Sequence, residues 1–322
     1  MEKINCDLCG SSNFKIITKQ KDIVHKIDEK FYDLVSCDNC NLNFVNPRPT
    51  IEEISKYYGQ NYSFYKNQNF LRLLFNNVIN VFIKFKPFIY LVNFIPSKKI
   101  KELLIYRIKP NIKYPVKINH NDFILDIGCG SGDTIHWWNS KLSVNSLSKK
   151  YKNIFAIEPD LNANSKIKIQ IENKSTYLKN FNCKFDHIRM NWSLEHCHKP
   201  SNYFKYISEN LSNDGKFILT VPNYNGIIYK IDKSNLELPI HLFYFTPEII
   251  KLYCEKFKLK ITSMNTFSYP GMFLFSSKIN MSFNSFSRLS LIDFFEFQKS
   301  LNIFDNFNLG NDMMFVIEKN YK

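Results

Sequence analysis

What the chain has little of narrows it first. Nine glycines and twelve prolines in 322 residues exclude collagen-like, fibrous and low-complexity architectures, which depend on those residue types. Tryptophan is scarce, at three, beside 30 phenylalanines and 18 tyrosines, so the rings that fill a core are mostly Phe and Tyr. No apolar stretch runs unbroken for the ~20 residues that a membrane-spanning helix needs. The richest, residues 70–95, is interrupted by Arg72, Asn76, Lys84, Lys86 and Pro87. A helical linker or cap packed on the main domain is expected there, with a peripheral membrane contact as the rival reading. The opening Met1-Glu-Lys-Ile-Asn-Cys6 lacks the apolar core of a secretory signal, so a cytoplasmic protein is expected.

Acidic residues are outnumbered, 29 Asp and Glu against 43 Lys and Arg, for a net charge of +14. Such a balance invites a polyanionic partner. The lysines, however, are scattered singly or in pairs (Lys98-Lys99, Lys149-Lys150) rather than massed into one footprint. Ordinary surface charge is the preferred reading, and nucleic acid is kept as a second choice. Nothing in the chain bears on oligomeric state.

Four of the eight cysteines form two Cys-x-x-Cys pairs, Cys6 with Cys9 and Cys37 with Cys40. Thiolates in such a turn reach one tetrahedral metal, and a second pair completes the shell. With all four positions taken by sulfur, none is open to water, so a structural Zn²⁺ is expected. The alternating stretches Phe14–Thr18 and Phe31–Val35 between the pairs suit short strands, and Asn46-Pro47-Arg48-Pro49 ends the segment. This defines a zinc-binding module at residues 1–48. Thr50 with Glu53 then has the form of a capping box, opening a helical region at 49–119.

From residue 120 to 322, strand and helix signals alternate, which marks an α/β sheet with parallel strands. Phe123–Asp126 reads as a buried strand ending in Asp126-Ile-Gly128-Cys129-Gly130-Ser-Gly132. Backbone amides in such a turn approach a ligand closely at the start of the next helix. A dinucleotide fingerprint would place glycine at position 133, where the chain has Asp133. The spacing suits a small adenosyl ligand without a pyrophosphate. A helix over 133–142 and a polar insert over 143–150 are expected to follow. The next strand, Ile154–Glu158, ends in a carboxylate that can accept both hydroxyls of a ribose. Later strands are read at Thr176–Leu178, Phe185–Arg189, Lys216–Val221, Leu259–Phe267 and Met313–Glu318, with Asn213-Asp214-Gly215 as a turn. Thr246-Pro247 opens a helix. The count reaches seven strands with a late antiparallel pair.

Leu125-Asp-Ile-Gly-Cys-Gly-Ser-Gly132, Glu158, Leu194-Glu-His196 and the strand Asp214–Asn223 resemble the class I methyltransferases that bind S-adenosylmethionine. That resemblance implies a Rossmann-like seven-stranded α/β sheet over roughly residues 120–320. It also implies that Asp126, Gly128, Cys129 and Gly130 face the methionine part of the cofactor, Glu158 the ribose, and Asn191 the region of the sulfonium. The cysteine pairs, Asn46–Pro49 and Tyr57-Tyr58 resemble a bacterial subgroup with an N-terminal zinc-binding region. Its members often act on sugars of surface polysaccharides or secondary metabolites. The expected substrate is therefore a nucleotide- or lipid-linked sugar.

A hydroxyl acceptor needs a base to take its proton. Glu195, His196, His198 and His241 lie beyond strand ends where open α/β sheets place their ligands, and Glu195, His196 and His241 are the catalytic candidates among them. Some ubiquinone-pathway relatives have Glu-x-x-Glu-His here, where a divalent metal has a role. In this chain Trp192 replaces the first Glu, so no catalytic metal is expected. Two other functions stay open: an RNA methyltransferase gripping phosphate through the zinc module and basic surface, and a non-enzymatic zinc-ribbon adaptor.

Overall fold

A computed structural model describes residues 1–22, 28–58, 114–133, 142–231, 236–268 and 291–321, the last with side chains from 297. The expected helical region of 49–119 falls largely outside the described residues. So do the apolar run at 70–95 and nearly all of the helix expected after the glycine loop.

Two sheets carry the molecule. Strands β1 (Phe14–Lys21), β2 (Phe31–Cys37) and β3 (Asn43–Val45) form an antiparallel sheet. The larger sheet contains β4 (Ile124–Ile127), β5 (Ile154–Ile157), β6 (Lys174–Ser175), β7 (Phe185–Asn191), β8 (Leu211–Pro222), β10 (Leu259–Phe267) and β11 (Asp312–Lys319). Its order is β10-β11-β8-β7-β4-β5-β6. The five strands from β6 to β8 are parallel, and β11 is inserted antiparallel between β8 and β10. The order reverses between β4 and β7, which opens a crevice at their carboxyl ends. Strand β9 (Phe243–Tyr244) lies between these strands in sequence but pairs with β3 of the first sheet.

The helices follow from local sequence. Thr50 and Glu53 form the reciprocal capping box of α1 (Ile51–Ile54). Asp160 caps α3 (Leu161–Ser165), after a short α2 (Val144–Leu147) capped by Ser143. Helix α4 (Pro200–Asn210) starts on a proline, as does α6 (Pro247–Lys256), where Thr246 accepts from Ile249 N–H. Between these two lies α5 (Ile227–Ile231), and α7 (Leu291–Asn306) precedes the last strand. No helix among the described residues is long and apolar enough to cross a membrane.

Three local expectations change. The segment at 143–150 is not a polar surface insert: Val144 and Leu147, three apart on α2, are buried against Ile124, Ile154 and Ala156. Asn213-Asp214-Gly215 does not interrupt the chain between helix and strand. It lies within β8, where the ladder with β7 shifts register between Phe185 and His187. The strand expected at Thr176–Leu178 is instead the two-residue β6 just before it.

Both sheets share one core. Leu34, Phe44 and Val45 of the first sheet belong to the same apolar cluster as Leu125, Ile188 and Phe217 of the second. Polar contacts bind them further. Arg48, 2% exposed, donates to the carbonyl of His198 at 2.7 Å and from Nε to Glu2 at 2.8 Å. Asp7, inside the first cysteine pair, accepts from Ser201 N–H and its hydroxyl, both at 2.8 Å, and from the Tyr253 hydroxyl at 2.8 Å. The N-cap residue of α4, Lys199, makes no side-chain cap bond. A carboxylate from the N-terminal cysteine turn therefore satisfies the helix start, where negative charge is favourable.

Candidate active site

The glycine loop leaves β4 at the crevice. Gly128 has φ +75°, and a Cβ on it would stand 2.4 Å from Cβ of Ser193 on the loop that leaves β7. No side chain fits that gap. The Gly128 N–H donates to Ile157 O at 2.7 Å, which aligns the loop with the end of β5. Glu158, 7% exposed, accepts from Gly130 N–H at 2.7 Å and from Asp160 N–H at 3.1 Å. Burial pushes its carboxyl up to about 7 against the pull of these two donors.

The other expected cofactor residues are placed as follows. Asp126 accepts from Arg189 Nη2 at 2.7 Å, both side chains being buried. Burial alone would weaken the guanidinium's hold on its proton, but Asp126 and Tyr114 reverse that and keep Arg189 charged. Cys129 points into the core beneath the loop, among Ile124, Val144 and Leu147, which leaves only its backbone for a ligand. Asn191 ends β7, and its buried Oδ1 has no hydrogen-bond partner among the described residues.

Beyond β7 the chain turns sharply. Trp192 takes φ +48°, a left-handed conformation that bulky residues adopt at some cost and that clusters at functional sites. Its N–H donates to Thr220 O at 2.8 Å and its indole to Asp312 at 3.0 Å. A single turn, Leu194–His196, then presents Glu195 and His196. The Leu242 N–H donates to Glu195 O at 2.8 Å, drawing the 240s loop alongside. The rings of His196 and His241 meet edge to face with centroids 4.8 Å apart. Glu195, His196 and His241 each offer a ligating atom within 4.8 Å of the others. The three expected catalytic candidates thus converge, although 45 residues of sequence separate the last two.

Protonation in this cluster follows from its bonds. His196 Nδ1 lies 3.2 Å from Ile240 O and 3.1 Å from the Tyr58 hydroxyl. A carbonyl only accepts, so Nδ1 carries the proton, and in the neutral ring the lone pair sits on Nε2. Nε2 is 3.8 Å from Glu195 Oε1. Glu195 is 1% exposed, and burial, with Asp312 and Glu237 nearby, raises its carboxyl well above the usual range. Asp312 was not a sequence candidate. It is buried at the crevice end of β11, and burial pushes it up to about 8 against the Trp192 indole N–H. Its one sequence signal is a charge heading an otherwise apolar strand, Asp312-Met-Met-Phe-Val-Ile. Tyr58 was noted only as part of a pattern and had no assigned contact.

The cysteine pairs form a second candidate centre. Sulfurs of Cys6, Cys9, Cys37 and Cys40 lie within 4.8 Å of one another, with Cys6 to Cys40 at 3.4 Å and Cys9 to Cys37 at 3.5 Å. Tetrahedral zinc with ~2.3 Å bonds wants sulfurs roughly 3.8 Å apart. The two turns are alike: Gly10 (φ +78°) and Asn41 (φ +61°) each follow the second cysteine in a left-handed conformation. Backbone N–H groups of Leu8 and Cys9 point at the Cys6 sulfur, and those of Asn39 and Cys40 at the Cys37 sulfur. Burial disfavours the thiolate at Cys37, but these donors outweigh it and hold the thiol below its ordinary value. The residues fit a four-sulfur metal site.

Three outcomes are expected. Gly128→Val abolishes binding of S-adenosylmethionine, measured by calorimetry, and leaves the cysteine-bound metal in place. Affinity for S-adenosylmethionine depends on pH through Glu158. The ribose hydroxyls favour the ionised carboxylate, so below about pH 7 binding must expel a proton. Affinity then falls by up to about tenfold per unit as pH drops below 7 and levels off above it; Glu158→Gln flattens the profile. Cys37→Ser lowers zinc content by one equivalent per chain. It also makes β1 to β3 the first region to open in hydrogen exchange, whereas unchanged metal content would refute the four-cysteine site.

A family model described as a methyltransferase domain matches residues 100–264, just over half of the chain. Among solved structures, an S-adenosylmethionine-dependent methyltransferase from Clostridium acetobutylicum is 14% identical, with 62% of this chain and 84% of that one covered and a TM-score of 0.38. An O-methyltransferase from a Brevibacillus brevis trans-AT PKS multienzyme, in complex with S-adenosyl-L-homocysteine, is 15% identical. It covers 69% of this chain and 72% of its own, at a TM-score of 0.41. The corresponding figures for a cyclopropane synthase from Mycobacterium tuberculosis are 15%, 69%, 82% and 0.38. No curated protein sequence matches the chain. The chain belongs to the methyltransferase-domain family and is a methyltransferase.

Proposed function

We propose that this enzyme methylates a hydroxyl of a small polar acceptor, a nucleotide- or lipid-linked sugar. When bound, S-adenosylmethionine supplies an electrophilic methyl group on a sulfonium. The glycine loop and Glu158 orient the donor, and positioning contributes most of the acceleration in an in-line displacement. The acceptor oxygen must lose its proton as it takes the methyl group, and the Glu195–His196–His241 cluster is the group that removes it.

The observation that carries this reading is the mixture of rings and carboxylates at that end of the crevice. Tyr224, Tyr229 and Tyr244 pack together, with Tyr244 also against His241. Glu195, Glu237 and Asp312 all lie close enough to act on Tyr229. Tyr224, the half-buried ring of the three, and the carboxyl groups suit the apolar faces and hydroxyls of a sugar. Glu237, whose carboxylate is exposed beside His241, would repel a phosphodiester backbone, which disfavours RNA despite the net charge of +14. The four-cysteine site is read as a structural zinc centre, and residues 1–48 as a module that braces the catalytic loops. Both agree with the subgroup resemblance that first suggested a sugar.

Incubation with labelled S-adenosylmethionine and a panel of nucleotide sugars, followed by mass analysis, tests the assignment. A sugar product heavier by one methyl group, with turnover insensitive to moderate salt, is the expected result. Label appearing in RNA instead, with salt-sensitive turnover, would overturn it.

A further inference from the structure

Glu195 poses a problem that methyl transfer alone does not solve. It is 1% exposed, yet neither carboxylate oxygen has a hydrogen-bond partner among the described residues. Burying an unpaired carboxylate is expensive, and proteins tolerate it where a proton or a cation satisfies the group. Two imidazoles stand against it. His196 Nε2 is 3.8 Å from Oε1, and the ligating atoms of Glu195, His196 and His241 lie within 4.8 Å of one another.

We propose that Glu195, His196 and His241 form a second metal site, which holds a divalent transition cation at the acceptor end of the crevice. The donor set is two imidazole nitrogens and one carboxylate oxygen. That set suits zinc and its first-row neighbours and not magnesium, which prefers oxygen ligands. Bonds of about 2.1 Å to each ligand span at most ~4.2 Å across the metal. The present separations therefore close with small side-chain rotations. His196 is already arranged as a ligand: its Nδ1 donates to the Ile240 carbonyl, which fixes the ring and directs the Nε2 lone pair towards Glu195. His241 has Glu237 3.7 Å from its Nε2, so a further carboxylate stands beside the group.

Three protein ligands leave at least one coordination position open. The adjoining loop, at Ser193, is in contact with Gly128. An acceptor oxygen taken at the open position would have its proton acidified by the cation, so in the loaded site the three side chains would act on that proton through the metal rather than as free bases. Trp192 had argued against a metal because it occupies the place of a carboxylate in sequence. The third ligand comes from His241, on a segment that local sequence comparison does not bring into view.

This inference rests on placing the acceptor at this end of the crevice, and its test separates the two. Metal content of the purified full-length enzyme is measured by elemental analysis after loading with Zn²⁺ and removal of excess. Two equivalents per chain are expected. Cys37→Ser should retain one, while His241→Ala and the near-isosteric Glu195→Gln should each lose the other and keep the cysteine-bound metal. Loading with Co²⁺ adds a spectroscopic check: the second site gives bands without thiolate charge transfer, and these vanish in His241→Ala. One equivalent in the wild type, lost in Cys37→Ser and unaffected in His241→Ala, would overturn the proposal. If the second metal is present and no sugar is methylated, the metal site stands and the acceptor assignment falls.

Discussion

Two loops meet at the carboxyl ends of β4 and β7 with no room for a side chain between them. Gly128 sits against Ser193 so closely that a single added carbon would overlap it. The rest of the site is arranged around that contact. It holds the glycine loop against the loop that carries Glu195 and His196, across the point where the strand order reverses. Trp192 takes an unfavourable backbone conformation to make the turn. Hydrogen bonds to Thr220 and Asp312 hold it there, on the neighbouring β8 and on β11.

The N-terminal segment is part of this machinery. Asp7 caps α4, Arg48 holds the carbonyl of His198, and Tyr58 bonds His196. From the other side of the crevice, Val45 N–H bonds Leu242 O, beside His241, and β3 pairs with β9. Both loops that present the candidate catalytic groups are thereby tied to the sheet that carries the cysteines. A structural metal at those cysteines would act on catalysis at a distance, by keeping Asp7 and the strand ends in register. Buried charge follows the same logic. Asp126 and Arg189 are paired inside the sheet, and breaking such a pair from one side costs about 3–5 kcal/mol because the remaining charge stays unpaired.

Features with a short range were legible in the sequence. The capping box at Thr50, the cap at Thr246, the strand before Gly128 and the glycine spacing depend on residues within a few positions of one another. The Cys-x-x-Cys turns belong with them. Harder cases arose where local chemistry was ambiguous. Val144 and Leu147 sit among serines, asparagines and lysines, and their burial shows only when β4 and β5 are beside them. Asn213-Asp214-Gly215 has turn chemistry, but the ladder to β7 absorbs it as an irregularity inside β8.

The sequence by itself determined the parallel α/β architecture, the glycine loop, the paired cysteines and the Glu195-His196 pair. Each is encoded in a contiguous pattern that backbone geometry reads directly. Only the tertiary structure decided that β9 leaves the large sheet to pair with β3, and that Asp312 and Tyr58 stand beside the histidines. It also decided that Glu195 is buried with neither oxygen hydrogen-bonded among the described residues. These depend on contacts between segments far apart in the chain, whose mutual approach is set by packing of a shared core. The glycine loop is one contiguous pattern, whereas the folding of distant segments against it brought Glu195, His196 and His241 together.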